Sequence, residues 1–353
     1  MLIPMGRRAV GDGAPVFIVF EAGPTHTGLA SAKQLARHAK KAGADAIKFQ
    51  ITDHKKLIHD RNLPFTYQVI DDVGQVEKIT EPLYEIWERR WMANDDWRAL
   101  KLYCDQIDLE FFATVFSNSD VDLVTEMGCA SIKIASQDTN FQDLIEYAAQ
   151  QGRPIQLDTG GSSLGEIERA VDWVRNQGNE QIVINHCPSG YPARMESIFL
   201  KMIPTLKKLF HVPVAFSDHS PGWDMDVAAV TLGAHIIEKT ITLDRAQRSC
   251  EHMMSLEPSE MGKFVKTIRS IETALGSSRR ILGTQERSDR EAIRRSAYLA
   301  RDVKAGEIVK RADFEFRRPG FGIRPHEYKR YLGSVYRTNL SCDHMLVPSD
   351  FQP

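Results

Sequence analysis

Residues 16–50 have the sequence VFIVFEAGPTHTGLASAKQLARHAKKAGADAIKFQ. An apolar run at 16–21 is followed by apolar residues at helical spacing over 29–42 and by a second apolar run at 45–50. This order predicts a strand, a helix and a second strand parallel to the first, joined by a right-handed crossover. The unbroken apolar run VFIVF is typical of a strand that is covered on both faces of its sheet.

The same alternation of strand and helix signals continues to about residue 275. Strands are predicted at 16–21, 45–50, 110–115, 131–135, 154–158, 181–186, 212–217 and 235–241. Helices are predicted at 29–42, 94–107, 119–127, 141–150, 164–176, 194–209, 224–232 and 258–274. Eight strands that alternate with helices favour an α/β fold of the closed (β/α)8, or TIM barrel, type over an open sheet.

Two segments interrupt this alternation. Residues 51–93 form an insertion after the second strand, and an insertion of this length is usually functional or carries small elements of its own. Residues 276–292 are polar and charged, as in a linker, and short strand and turn signals follow them. We therefore expect a barrel domain over 1–280, a linker over 281–293 and a small all-β domain over 294–353.

Composition excludes several classes of protein. The 353 residues carry a net charge of −2, so we expect no nucleic acid and no membrane surface as a partner. The sequence contains no apolar run of 18 residues, and no secretory signal is expected at its start. Five cysteines without a CxxC pair argue against a zinc ribbon or a disulfide framework, and we expect a cytoplasmic protein.

Two lysines are the most informative candidates for a site, because active sites of barrels lie at the carboxyl ends of the strands. Lys48 and Lys133 each lie in an otherwise apolar strand, where a lysine is costly to bury without a counter-charge or a ligand. Together they suit a phosphate or carboxylate ligand. The alternative is that they pair with acidic neighbours such as Glu21 or Asp158 in a structural network.

Two further residues at the strand ends are candidates for proton transfer or metal binding. Glu21 ends the first strand and is predicted to act as an acid or base. His219, in the run SDHS, is a candidate for metal binding or proton transfer, and the alternative is a capping or core histidine.

Several motifs resemble those of the sialic acid synthase family. They are FEAGPTHTG (20–28), AGADAIKFQ (42–50), IKIASQDTN (132–140), NHCPSGYPA (185–193) and FSDHSPG (216–222). The segment KAGEIVKRADFEFRRPGFGIRP (304–325) resembles the antifreeze-like SAF domain, a β-clip fold that ends these enzymes. The resemblance implies condensation of phosphoenolpyruvate with an acylated amino sugar, which gives a nonulosonic 2-keto-3-deoxy acid and phosphate.

The resemblance also implies roles for individual residues. Glu21, Lys133 and His219 correspond to catalytic residues of the family. The phosphoenolpyruvate contacts correspond to Lys48, Thr114, Lys133, Ser136, Ser189 and Ser217. The residues that line the pocket or contact the sugar correspond to Gln50, Phe116, Asp138, Tyr191, Glu251 and Arg318. Arg318 corresponds to an arginine of the SAF domain that reaches the barrel of a second subunit, which implies a domain-swapped homodimer.

The sequence departs from the family pattern at positions that concern the metal and the donor. The resemblance implies a divalent metal, Mn²⁺ or Mg²⁺, held in part by His219, but Thr240 replaces the second histidine and a hydroxyl is a poor ligand. Glu251 or His252 is then the candidate for a second ligand. Asp158 replaces a serine, and its carboxylate would repel a bound phosphate unless it is protonated or paired with lysine.

These departures leave two alternatives to the synthase open. One is an enzyme on the same scaffold that uses a different donor or needs no metal. The other is a sugar-binding dimer without catalytic activity.

Overall fold

The chain forms two units, Met1–Gly276 and Ser277–Pro353, and the first contains a closed barrel of eight parallel strands. The structure is a computed structural model that describes residues 1–71 and 74–352. The strands of the first unit are β1 (Leu2–Met5), β2 (Arg8–Gly11), β3 (Phe17–Glu21), β4 (Ala46–Ile51), β5 (Pro64–Ile70), β6 (Val76–Pro82), β7 (Glu110–Val115), β8 (Ile132–Ile134), β9 (Ile155–Asp158), β10 (Ile182–His186), β11 (Val214–Asp218) and β12 (Ile236–Thr240). Around the barrel they follow the order β3-β4-β7-β8-β9-β10-β11-β12, and β12 pairs with β3, so the predicted TIM barrel is confirmed.

Helices cover the outside of the barrel. They are α1 (Leu29–Ala42), α2 (His54–Leu57), α3 (Leu83–Glu88), α4 (Asn94–Gln106), α5 (Asn118–Glu126), α6 (Gln142–Gln150), α7 (Leu164–Asn176), α8 (Met202–Phe210), α9 (Asp224–Thr231) and α10 (Pro258–Leu275). The helix predicted at 194–209 therefore begins later than expected. Phe199 has a φ of 45°, a left-handed conformation that a continuous right-handed helix cannot contain.

The barrel interior is apolar at the amino ends of the strands and polar at their carboxyl ends. Alternate residues of each strand point inward. Near the amino ends, Phe17, Phe112 and Ile236 pack against Ile3 and Val10 of the hairpin formed by β1 and β2. The strand and helix pattern did not predict this hairpin. Because this hairpin packs against the apolar layer at the amino ends, the polar site lies at the carboxyl ends of the strands.

The insertion at 51–93 carries its own elements. It contains α2, an antiparallel hairpin of β5 and β6, and α3. Trp87 of α3 packs edge-on against Phe116, which follows β7, with ring centroids 5.2 Å apart. This contact places α3 beside the carboxyl ends of the barrel strands.

The second unit contains α11 (Thr284–Ile293), β13 (Ser296–Leu299), β14 (Phe314–Arg317), β15 (Val335–Tyr336) and β16 (Phe351–Gln352). Two antiparallel pairs, β13 with β14 and β15 with β16, surround a small apolar core. The segment predicted as a linker at 281–293 is mostly helical, because it contains α11. Residues of α11 are not buried, so the sequence lacked an apolar stripe, and Glu286 instead accepts a hydrogen bond from the Gly283 N–H at the helix start. Across residues 1–71 and 74–352, no helix is long and apolar enough to cross a membrane.

Candidate active site

A cavity of about 590 Å³ opens at the carboxyl ends of the barrel strands. The structure brings most of the predicted site residues to its wall: Glu21, Lys48, Gln50, Thr114, Phe116, Lys133, Ser136, Tyr191, Ser217, His219 and Glu251. Residues of the insertion, among them Leu63, Trp87 and Arg90, complete the wall.

Both lysines at the floor of this cavity are ion-paired. The Nζ atom of Lys133 lies 2.6 Å from Oε1 of Glu238 and 3.0 Å from Oδ1 of Asp158. The Nζ atom of Lys48 contacts Oε2 of Glu21 and lies 3.4 Å from Oε1 of Glu238. The sequence allowed the two lysines either to bind an anionic ligand or to pair with acidic neighbours. The structure combines these alternatives, because a network of carboxylates pairs with both lysines and holds them at the wall of the cavity.

Burial and mutual charge shift the pKa values within this floor cluster, which we define as Glu21, Lys48, Lys133, Asp158 and Glu238. Burial lowers the pKa of Lys48 to about 8, against the attraction of Glu238. Burial alone would raise the pKa of Glu238, but Lys133 and Lys48 lower it to about 2. Burial raises the pKa of Asp158 despite the neighbouring Lys133. Of these two carboxyl groups, Asp158 is therefore protonated more readily than Glu238.

Hydroxyl groups extend the cluster toward the cavity. Ser217 donates a hydrogen bond of 2.8 Å to Oε1 of Glu238, and Lys48 donates one of 3.2 Å to Oγ1 of Thr114. Thr114 and Ser217 were both predicted to contact phosphoenolpyruvate, and both line the cavity beside the lysines.

His219 lies on the wall of the cavity next to a cysteine. Its Nδ1 atom is 3.3 Å from the carbonyl oxygen of Pro188 and 4.0 Å from Sγ of Cys187, and the ring of Tyr191 packs edge-on against the imidazole. Burial lowers the pKa of His219, but Cys187 and Glu251 raise it more strongly, to about 9.

The side chains around His219 do not fit the predicted metal site. His252, one candidate for the second ligand, instead has its Nδ1 atom 2.8 Å from Oγ1 of Thr242. Glu251, the other candidate, lines the cavity, and Thr240 is buried at the end of β12. In the part of the chain that the structure describes, no group of three or more His, Cys, Asp or Glu side chains is placed to hold a metal ion. The metal therefore stays a prediction.

Three predicted site residues of the first unit, Ser189, Asp138 and His252, do not line this cavity. Ser189 lines a second cavity of about 360 Å³, next to the turn at Gly190, whose φ is 115°, and Cys187 lines both cavities. Asp138 ends a short 3₁₀ turn that presents Ser136 and Gln137 to the cavity in its place. Arg318 belongs to the second unit, and its predicted role stays a prediction.

Two residues that the structure places in the site, Glu238 and Arg90, were not predicted from the sequence. Glu238 pairs with both lysines, whereas its neighbour Lys239 points to the opposite face of β12 and contacts Asp218. The alternation of side chains along β12 could have separated these two. Arg90 comes from the insertion, and no pattern in the sequence connects it to the barrel.

Comparison with known proteins identifies the family. Residues 35–280 match the NeuB family, and residues 294–352 match the SAF domain. An uncharacterised protein of Methanocaldococcus jannaschii is 35% identical over 97% of this chain and 95% of its own length. The N,N'-diacetyllegionaminic acid synthase of Legionella pneumophila is 33% identical over 97% of this chain and 96% of its own. The crystal structure of N-acetylneuraminic acid synthetase from Leptospira borgpetersenii has a TM-score of 0.72 at 30% identity and covers 82% of this chain and 95% of that chain. The chain belongs to the NeuB family, and a SAF domain follows its barrel.

Proposed function

We propose that this protein condenses phosphoenolpyruvate with an acylated amino sugar to give a nonulosonic 2-keto-3-deoxy acid and phosphate. The observation that carries the proposal is the pair of buried lysines, Lys48 and Lys133, at the floor of a cavity large enough for two small substrates. The names of the synthases from Legionella and Leptospira support it.

The floor cluster forms the part of the site that binds phosphoenolpyruvate, which is the donor substrate. Phosphoenolpyruvate carries a carboxylate and a phosphate, and the two lysines with the hydroxyls of Thr114 and Ser217 supply cations and hydrogen-bond donors for them. Asp158 lies next to Lys133 and would repel the phosphate when ionised. Because burial raises its pKa, a proton taken up by Asp158 as the donor binds would remove that repulsion.

The reaction forms a carbon–carbon bond and a bond from carbon 2 to the oxygen of water, and it breaks the bond from carbon 2 to the phosphate oxygen. Carbon 3 of phosphoenolpyruvate attacks the aldehyde carbon of the open-chain sugar, and His219 supplies the proton that the aldehyde oxygen gains. Water adds to carbon 2 and loses a proton to Glu21. Glu21 lies at the end of β3, where it contacts Lys48. Phosphate then leaves from carbon 2 with the electron pair of that bond and takes up the proton of the new hydroxyl group, and the keto group forms.

Three finer statements belong to the same proposal. The protein acts in the cytoplasm, which its five free cysteines support. It works as a domain-swapped homodimer in which Arg318 contacts the sugar in the other subunit. The third is a requirement for Mn²⁺ or Mg²⁺, which the resemblance alone supports and through which none of the steps above passes.

The domain swap has a direct test. Mixed dimers of Lys133→Ala and Arg318→Ala subunits contain one intact site if the SAF domain serves the other barrel, so mixing two inactive variants restores activity. If each SAF domain serves its own barrel, every site keeps a defect and the mixture stays inactive.

A second candidate function is condensation with a donor that carries no phosphate. The observation that favours it is Asp158, whose Oδ1 atom lies 3.0 Å from Nζ of Lys133 in the position where the family has a serine. Pyruvate in place of phosphoenolpyruvate tests it. Product formation from pyruvate and not from phosphoenolpyruvate would establish this second function.

The main proposal is tested by measuring phosphate release from phosphoenolpyruvate with a panel of acylated amino sugars, with manganese or with a chelator. We expect release that depends on one class of sugar. Release that survives the chelator would refute the predicted metal requirement but leave the condensation standing. No release with any sugar, from protein shown to be folded, would overturn the proposal.

A further inference from the structure

A small cavity of about 190 Å³ adjoins the site and is lined by basic side chains. Its wall comprises Pro24, His26, Thr27, Ile86, Arg89, Arg90, Gln247, Arg248, Ser249 and His252. Arg90 and Ile86 also line the main cavity, so the two cavities share a wall. No carboxylate is among the described residues around the smaller one.

Arg90 is a buried cation without a hydrogen-bond acceptor. Its side chain is 8% exposed, and neither Nε nor Nη1 has a hydrogen-bond partner among the described residues. The guanidinium lies 3.6 Å from the centre of the Trp87 ring, which positions it without accepting a hydrogen bond. A buried guanidinium that only stabilises the fold would be expected to find oxygen acceptors, as Arg269 does with Asp45 and Glu272.

His26 adds a second donor without an acceptor to the same wall. Its ring is 2% exposed and is held edge-on by Phe49 and Trp97. The Nδ1 atom accepts a hydrogen bond of 3.3 Å from the Gly28 N–H, so the proton of the neutral ring is on Nε2. That atom has no partner among the described residues either.

The neighbouring arginine shows why Arg90 in particular is free. Arg89 is ion-paired with Glu81, which also accepts a hydrogen bond from Tyr67 in the hairpin of β5 and β6. Arg90 lies near Cys250, Glu251 and Tyr191 instead, and none of these lies within ion-pair or hydrogen-bond distance of it. Glu251 and Tyr191 line the part of the main cavity predicted to hold the sugar.

We propose that Arg90 and His26 bind an anionic group, a phosphate ester or a carboxylate, that the acceptor sugar carries at the end remote from its aldehyde. The inference rests on the proposed condensation, because it assigns the aldehyde end of the sugar to the floor cluster. The acceptor is then an acidic amino sugar. Three donor atoms without acceptors on one wall match the several oxygens of such a group.

Binding without turnover tests this inference separately from the condensation. Isothermal titration calorimetry compares N-acetylmannosamine, its 6-phosphate and N-acetylmannosaminuronic acid on the full-length protein. We expect at least one of the two acidic sugars to bind tenfold or more tightly than the neutral one. Of the two, the tighter ligand identifies the anionic group as phosphate or carboxylate.

Three variants locate the effect. Arg90→Gln removes the charge and should abolish the preference for the acidic sugar, and Arg90→Lys should keep part of it. The matched control is Arg98→Gln, because Arg98 is an exposed arginine that pairs with Glu126 on the outside of the barrel, and it should keep the full preference. The melting temperature separates binding from folding, because loss of an unpaired buried charge should leave it equal or higher in Arg90→Gln, whereas loss of a structural residue would lower it.

Two results would overturn the inference. One is equal affinity of the wild type for neutral and acidic sugars, or a preference that survives Arg90→Gln. The other is a variant Arg90→Gln that loses affinity for phosphoenolpyruvate and keeps its preference among sugars, since Arg90 would then serve the donor. Phosphate release measured in parallel on the wild type reports on the condensation itself, so the two proposals can fail independently.

Discussion

The floor cluster and the wall at Arg90 both bury cations at the same cavity, but they satisfy them differently. Lys133 is held by two carboxylates at 2.6 and 3.0 Å, whereas two nitrogen atoms of Arg90 have no acceptor among residues 1–71 and 74–352. A paired buried charge is costly to break, and an unpaired one is costly to keep. The barrel strands thus carry a preassembled network, while Arg90 of the insertion presents two donors that no acceptor of the described residues satisfies.

Breaking the network at its centre gives the largest expected effect. Lys133→Ala leaves Glu238 and Asp158 buried without their common partner, so the free energy of unfolding should fall by about 3–5 kcal/mol. Binding of phosphoenolpyruvate should be lost. Urea unfolding and calorimetry measure the two effects. A variant with wild-type stability and donor affinity would contradict the roles assigned to the cluster.

The next prediction concerns Asp158, which is one of the two carboxylates that pair with Lys133. Asp158→Ser leaves Lys133 paired with Glu238 and removes the group that faces the donor phosphate, so phosphoenolpyruvate should bind about tenfold more tightly, which corresponds to about 1.4 kcal/mol. Titration calorimetry checks this against Asp158→Glu, which keeps the charge and should show no gain. Weaker binding in the serine variant would mean that Asp158 contributes to the donor site.

Asp138 is a smaller example of an unsatisfied charge. Its Oδ2 atom is buried and has no hydrogen-bond partner in the part of the chain that the structure describes, and burial raises its pKa to about 6. Because the pKa in the unfolded chain is about 4, ionisation disfavours the folded state, and stability is lost as the pH rises from about 4 to about 6.

The variant Asp138→Asn should remove that loss. Since Asp138 is only half-buried, we expect a gain of only about 1–2 kcal/mol at pH 8 and none at pH 3.5. Chemical unfolding of both proteins at the two pH values measures it. An equal effect of the substitution at both pH values would show that the carboxyl does not titrate in this range.

Much of the site could be predicted because its residues lie on the strands themselves. Glu21, Lys48 and Thr114 occupy inward positions near the carboxyl ends of β3, β4 and β7, and this follows from strand order and alternation. Ser189 and Asp138 lie in loops after the strands. Their orientation depends on turns such as the one at Gly190, which a strand pattern does not specify.

The sequence by itself determined the barrel, the position of the insertion and the SAF domain, because strand and helix periodicity and local motifs are properties of neighbouring residues. Only the tertiary structure decided which buried charges are paired. The partners of Lys133 are Asp158 and Glu238, the second of which is 105 residues away, and closure of the barrel brings them together. Arg90 and His26 come from the insertion and from the loop after β3, and only packing of the insertion on the barrel places both on one wall. Pairing depends on distances across the fold, and the local order of residues does not contain those distances.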